Sequence, residues 1–104
     1  MIEKTEEMNA LLDAYEVLLT DKQREVLTLY FQEDFSLSEI AMNIGTSRSA
    51  VSDHIKRATL SLQEYEKKLK LVAKYKIRTE IYDKIKALKN SQVNELVEQL
   101  EEME

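Results

Sequence analysis

The chain has 104 residues, 43% hydrophobic and 34% charged, with a net charge of −5, a balance that suits one soluble globular domain rather than a disordered segment. It holds one glycine, no proline and no cysteine, which argues against a sheet built on tight turns and excludes disulfides and cysteine-based zinc sites. No apolar run approaches the roughly 18–20 residues needed to cross a bilayer, and the acidic start MIEKTEEMN lacks the basic and apolar regions of a signal peptide, so a cytoplasmic protein without membrane insertion is expected.

The first element is an amphipathic helix over residues 5–19, with Met8, Leu11, Leu12, Tyr15, Leu18 and Leu19 on its inner face. Thr5 is placed to cap it, and Glu6 and Glu7 suit the positive end of the helix dipole. Thr20 and Gln23 fit a capping box and open a second helix that buries Val26, Leu27, Tyr30 and Phe31. Ser36 and Glu39 form another, opening a short helix with Leu37, Ile40, Ala41 and Ile44 inward. Gly45 ends that helix, because glycine takes the left-handed conformation of a helix stop. Thr46 or Ser47 caps the next, whose stripe is Val51, Ile55, Ala58 and Leu62.

Beyond residue 62, Tyr65, Leu69, Val72, Ala73, Ile77, Ile81, Ile85 and Leu88 recur at helical spacing. A run of fours rotates by about 40° per step on a straight helix, so a break or bend is expected between 67 and 75. Ser91 is positioned to cap a last helix with Val93, Leu96, Val97, Leu100 and Met103 on one side. The expected architecture is all-α. Residues 1–66 hold the N-terminal helices and a helix-turn-helix at about 36–58. Residues 67–104 hold amphipathic helices, packed on the same core or in a dimer interface.

A short helix, a glycine turn and a second helix starting at Ser or Thr make a helix-turn-helix unit. Ala41 allows close helix approach and Val51 fills the angle between the helices. Residues 19–62, LTDKQREVLTLYFQEDFSLSEIAMNIGTSRSAVSDHIKRATLSL, resemble region four of bacterial sigma factors, which reads the promoter −35 element. Over roughly residues 1–90, EKTEEMNALLDAYEVLLTDKQREVLTLYFQEDFSLSEIA, SRSAVSDHIKR and EYEKKLKLVAKY resemble the YlxM family of Gram-positive bacteria. That resemblance implies a small helical protein, usually encoded beside the signal recognition particle GTPase, that acts in or regulates that pathway.

With Val51 inward, a step of about 100° per residue puts Ser49, Asp53, Lys56 and Leu60 roughly opposite, flanked by Ser52 and Arg57. In a helix-turn-helix the start of the second helix enters the major groove. Arg48, Ser49, Ser52 and Asp53 would then lie near base edges, and Lys56 and Arg57 near phosphates. Asp53 opposes this, because phosphates repel a carboxylate unless it accepts from a cytosine amino group. Residues 21–60 carry five bases and six acids, a thin basic face for a DNA-binding domain. Leu60 lies opposite the core stripe, either singly exposed or covered by the C-terminal helices or a second subunit.

The strongest charge feature lies further on: residues 61–90 carry nine bases against four acids, while 91–104 carry five glutamates and no base. Lys67, Lys68, Lys70, Lys74, Lys76 and Arg78, with Tyr65, Tyr75 and Tyr82 interleaved, suit either an RNA or partner surface or a solvated face whose lysine stems cover apolar neighbours. His54 is the only histidine and falls at the edge of the core stripe. With no convergent nucleophile, base or metal-ligand set and no Gly-rich phosphate loop, no enzyme, metal or cofactor is expected.

The leading functional expectation is a non-catalytic, homodimeric regulator of the signal recognition particle pathway, binding the particle's GTPase or its RNA. The alternative is a sequence-specific DNA-binding transcriptional regulator.

Overall fold

A computed structural model describes residues 4–104; residues 1–3, which begin the acidic N-terminal stretch, lie outside the described residues. Among the described residues there are six α-helices and no strand: α1 Glu6–Tyr15, α2 Asp21–Leu27, α3 Leu37–Ile44, α4 Arg48–Leu69, α5 Leu71–Lys86 and α6 Ser91–Glu102. The chain divides into two compact units, the first ending at Val72 and the second running from Ala73 to Glu104.

The first unit is built around α4, against which α1, α2 and α3 all pack. Its stripe of Val51, Ile55, Ala58 and Leu62 is fully buried, and it meets Leu12, Tyr15, Val26, Leu27 and Ile40. These are large apolar side chains from four helices, and their removal from water is the main favourable term for the unit.

Each helix start is written locally. Thr5 accepts from the Met8 amide, and Thr20 with Gln23 and Ser36 with Glu39 form full capping boxes. The backbone after α2 widens into a π turn over Thr28–Gln32, where the Glu33 amide donates to the Thr28 carbonyl at 3.0 Å. That turn carries the buried Tyr30 and Phe31 rings, 5.0 Å apart edge to face.

Two expectations are corrected. Leu18, expected inward, is half-exposed. Helix α1 tightens at Glu16–Leu18 into a 3-10 turn, which advances three residues per turn rather than 3.6 and shifts the inward phase so that Leu19 is buried and Leu18 is not. The last helix is capped by Asn90 rather than Ser91, its side-chain oxygen accepting from the Val93 amide at 3.1 Å.

One buried polar atom in α4 has no partner: Thr59 Oγ1, on a residue 1% exposed. Replacing Thr59 by Val keeps the shape and removes the desolvated hydroxyl. The Thr59→Val protein is expected to be more stable by about 1 kcal/mol, measured as a rise in the urea midpoint. A fall would mean that the hydroxyl has a partner in solution.

The expected interruption after residue 62 falls at Lys70, which sits in the left-handed region at φ 56°. No glycine marks it. Tyr15, reaching across from α1, donates its hydroxyl to Glu66 Oε1 at 2.5 Å and accepts the Leu71 amide at 3.0 Å. The same Glu66 oxygen accepts the Val72 amide at 3.0 Å. The first amides of α5 have no intrahelical acceptor, and these two side chains supply one.

In the second unit, α5 and α6 form an antiparallel hairpin. Arg78 and Tyr82 bond to Glu104, and Lys86 pairs with Glu101 at 2.6 Å. The Glu101 carboxylate beside Lys86 holds that ammonium above its ordinary pKa range. The hairpin buries Tyr82 and Val97 and little else of its apolar content.

Candidate nucleic-acid interface

Helices α3 and α4 and the turn between them form the helix-turn-helix. Gly45 closes α3 at φ 72°, and its amide and that of Thr46 both donate to the Ala41 carbonyl at 3.0 Å. Nothing lies within 4 Å of the position a Cβ would take at Gly45, so a substitution there meets backbone strain and no clash. Gly45→Ala is expected to cost about 1–2 kcal/mol, the penalty of the left-handed conformation, and Gly45→Asn clearly less. Equal thermal midpoints for both variants would sink this account.

Ser47 caps α4, accepting from the Ala50 amide at 3.1 Å. The cap sets the first turn of α4 outward, with Arg48 and Ser49 exposed, Ser52 half-buried, and Asp53, Lys56 and Arg57 exposed. Ala41 and Val51 are buried at the inner angle of the two helices, and His54 is half-buried at the edge of the stripe. Leu60 is 65% exposed on the outer side of α4.

Arg57 Nε lies 3.0 Å from Asp53 Oδ2, one helical turn back. An exposed pair of this kind contributes only about 0.3–0.5 kcal/mol, so a phosphate could detach the guanidinium cheaply. The carboxylate would remain, facing the same phosphates. Among the described residues, Arg48 and Lys56 have no ion pair and are the free cations of this face. If α4 docks in a groove, Asp53→Asn should tighten random-duplex binding several-fold, an effect that shrinks as salt rises. No change in a low-salt titration would show that this face does not meet phosphates.

The acids beside the entry to α3 are partly neutralised within the fold. Lys4 Nζ lies 2.8 Å from Asp34 Oδ1, bonds the Phe35 carbonyl and sits 4.4 Å from the centre of the Tyr30 ring. Its hydrogen bond holds the Asp34 carboxyl below its ordinary range. The Glu39 carboxyl is lowered too, by the Ser36 amide it accepts from.

The basic segment does not form one surface within one unit. Lys67, Lys68 and Lys70 belong to the first unit, and Lys74, Lys76 and Arg78 to the second. Lys68 is 3.5 Å from Glu64, and Arg78 pairs with Glu104. Lys67, Lys70, Lys74 and Lys76 have no ion pair among the described residues. Of the interleaved rings, Tyr65 packs on the first unit's core 6.0 Å from Tyr15, and Tyr82 is buried. Tyr75 is exposed, with the Arg78 guanidinium 6.0 Å from its ring centre. One ring, not three, is open to stack on a base.

Sequence reasoning had placed the outward residues of α4 but had not paired Asp53 with Arg57, although their four-residue spacing was a visible signal. It also missed Tyr15 and Glu66, which no local pattern links. Among the described residues no group of three His, Cys, Asp or Glu could hold a metal ion, and no helix is long and apolar enough to cross a membrane.

Comparison with known proteins agrees with this geometry. Residues 2–103 match the profile of a family described as "UPF0122: Putative helix-turn-helix protein, YlxM / p13 like". A UPF0122 protein of Halalkalibacterium halodurans is 46% identical over 106 residues, covering 100% of this chain and 97% of its own. One from a Geobacillus species is 43% identical over 110 residues, covering both chains completely. One from Streptococcus pneumoniae is 50% identical over 84 residues, covering 81% of this chain and 76% of its own.

Proposed function

Because the chain belongs to the YlxM/p13-like helix-turn-helix family, we propose that it is a non-catalytic regulatory protein of the signal recognition particle pathway, binding the particle's RNA or its GTPase. The pathway comes from the family resemblance. The observation that carries the binding mode is the contrast in free charge. Lys67, Lys70, Lys74 and Lys76 are unpaired among the described residues, whereas the outer face of α4 holds Arg57 against Asp53. Unpaired lysines that neutralise nucleic-acid phosphates release the counterions condensed there and supply most of a non-specific affinity, and they attract acidic side chains through the surface field.

A second reading, sequence-specific DNA binding, is supported by Arg48 and Ser49, exposed in the first turn of α4 where base edges are read. One titration at two salt concentrations separates the two, using the particle's RNA, its GTPase and random duplex DNA. The proposed function expects binding to RNA or GTPase that is lost when Lys67, Lys70, Lys74 and Lys76 are reversed to Glu. Tight duplex binding that is lost with Arg48→Ala, and no binding to the particle's components, would replace it with the second reading.

A further inference from the structure

Helix α5 has five bases and two acids, while α6 has four acids and no base. On α5 the charge is also sorted by side. From residue 74 onward, the positions of α5 that fall within one arc of roughly 120° are Lys74, Tyr75, Arg78, Tyr82, Ile85 and Lys86. That stripe holds three cations, two tyrosine rings and no acid. Glu80 lies on the opposite side of the helix and Asp83 beyond the edge of the stripe. Cations interleaved with rings along one helix face suit a single strand of RNA, the cations meeting phosphates and the rings stacking on unpaired bases.

Most of that stripe is already occupied from within the hairpin. The Glu104 carboxylate accepts from Arg78 and, at 3.0 Å, from the Tyr82 hydroxyl, and Glu101 lies 2.6 Å from Lys86. These carboxylates stand where phosphate oxygens would. Lys74, in no ion pair among the described residues, and Tyr75, 53% exposed, are left open at one end. The cover is held lightly. Between them the two helices bury only Tyr82 and Val97. The Lys86 and Glu101 side chains are 37% and 38% exposed, so water or another anion can reach the pair. On α6, Asn94 has a buried side-chain oxygen without a hydrogen-bond partner, which penalises the closed arrangement. Once off α5, α6 is a helix of 12 residues, a length at which an isolated helix is marginal in water.

Building on the RNA reading above, we propose that α6 is an internal lid: its carboxylates stand in for phosphates on an RNA-binding stripe of α5, and a single-stranded RNA displaces them. Lys74 and Tyr75 make the first contact, and phosphates then replace Glu104 on Arg78 and Glu101 on Lys86. The test uses the full chain and a fluorescent oligouridylate at low salt. Glu101→Gln with Glu104→Gln is expected to bind about three- to tenfold tighter than wild type, the fold-change of releasing two partly exposed ion pairs. Glu95→Gln with Glu102→Gln removes the same charge from acids that are exposed, unpaired among the described residues and turned away from α5, and should gain clearly less. Tyr75→Ala should weaken binding about fivefold or more, the loss of one stacked base, and Tyr75→Phe should retain it. In hydrogen exchange of wild type, the oligouridylate should speed exchange of the α6 amides. Equal gains from the two glutamine pairs, Tyr75→Phe as weak as Tyr75→Ala, or α6 amides that exchange no faster with RNA bound would each overturn the proposal and leave the RNA reading intact. Binding of the oligouridylate by none of these proteins would overturn both.

Discussion

Leu62→Ala is expected to destabilise the first unit by about 2–5 kcal/mol, the cost of deleting buried methyl groups and leaving a cavity. Leu62 is fully buried, on the one helix that every other helix of its unit packs against. A domain of this size is stable by only about 5–15 kcal/mol, so this one change removes a large share. The control lies two residues away. Leu60 is 65% exposed, and Leu60→Ala should fall within about 0.5 kcal/mol of wild type. Thermal melts followed by circular dichroism should separate the two variants by about 10 °C or more. Equal midpoints would show that the inner and outer sides of α4 are misassigned.

Tyr15→Phe is expected to cost about 1.5–3 kcal/mol, the range for a lost hydrogen bond to a charged group. The change removes a donor to Glu66 and an acceptor for the Leu71 amide at one stroke. Glu66→Ala should cost a similar amount, because the Val72 amide also loses its acceptor. The double variant should cost less than the sum, since both changes break one network. Strict additivity in urea denaturation would mean that the Tyr15–Glu66 contact does not form in solution. The same tyrosine has an alkaline signature. Burial, then the Glu66 carboxylate, pushes its pKa above the ordinary 10.0. The neutral phenol is the form the fold holds, so the contribution is full below pH 10.0 and is lost as pH rises through the folded value. Burial and the Glu104 carboxylate raise Tyr82 as well, so alkaline titration of wild type should show late-ionising tyrosines, and Tyr15→Phe should have one fewer of them.

What could be read from the sequence was what is written locally. The caps at Thr5, Thr20 and Ser36, the cap at Thr46 or Ser47 that the backbone settles on Ser47, and the glycine stop at Gly45 each need only four or five consecutive residues to specify them, and the stripe from Val51 to Leu62 needs only the periodicity of one helix. The misses share a different cause. Leu18 was misplaced because a 3-10 turn changes the helical phase without a sequence mark. Asn90 took the cap from Ser91 because both residue types cap well and only the backbone chooses. The candidate interface was legible as a list of outward residues. Its free charge was not, because that depends on the geometry pairing Asp53 with Arg57.

The interruption at Lys70 has a kinetic consequence. Its acceptors come from Glu66 and from Tyr15, whose hydroxyl lies 56 positions away in sequence from the amide it receives. Lysine propagates helices well, so nothing local stops α4 from continuing into α5 in an unfolded or partly folded chain. The bend can be set only once α1 has docked, after a long loop has closed. A contact that waits for this closure is expected on the native side of the folding barrier. Tyr15→Phe should therefore accelerate unfolding and leave the folding limb of the chevron nearly unchanged, whereas Leu62→Ala, inside the helix on which the unit condenses, should slow folding as well.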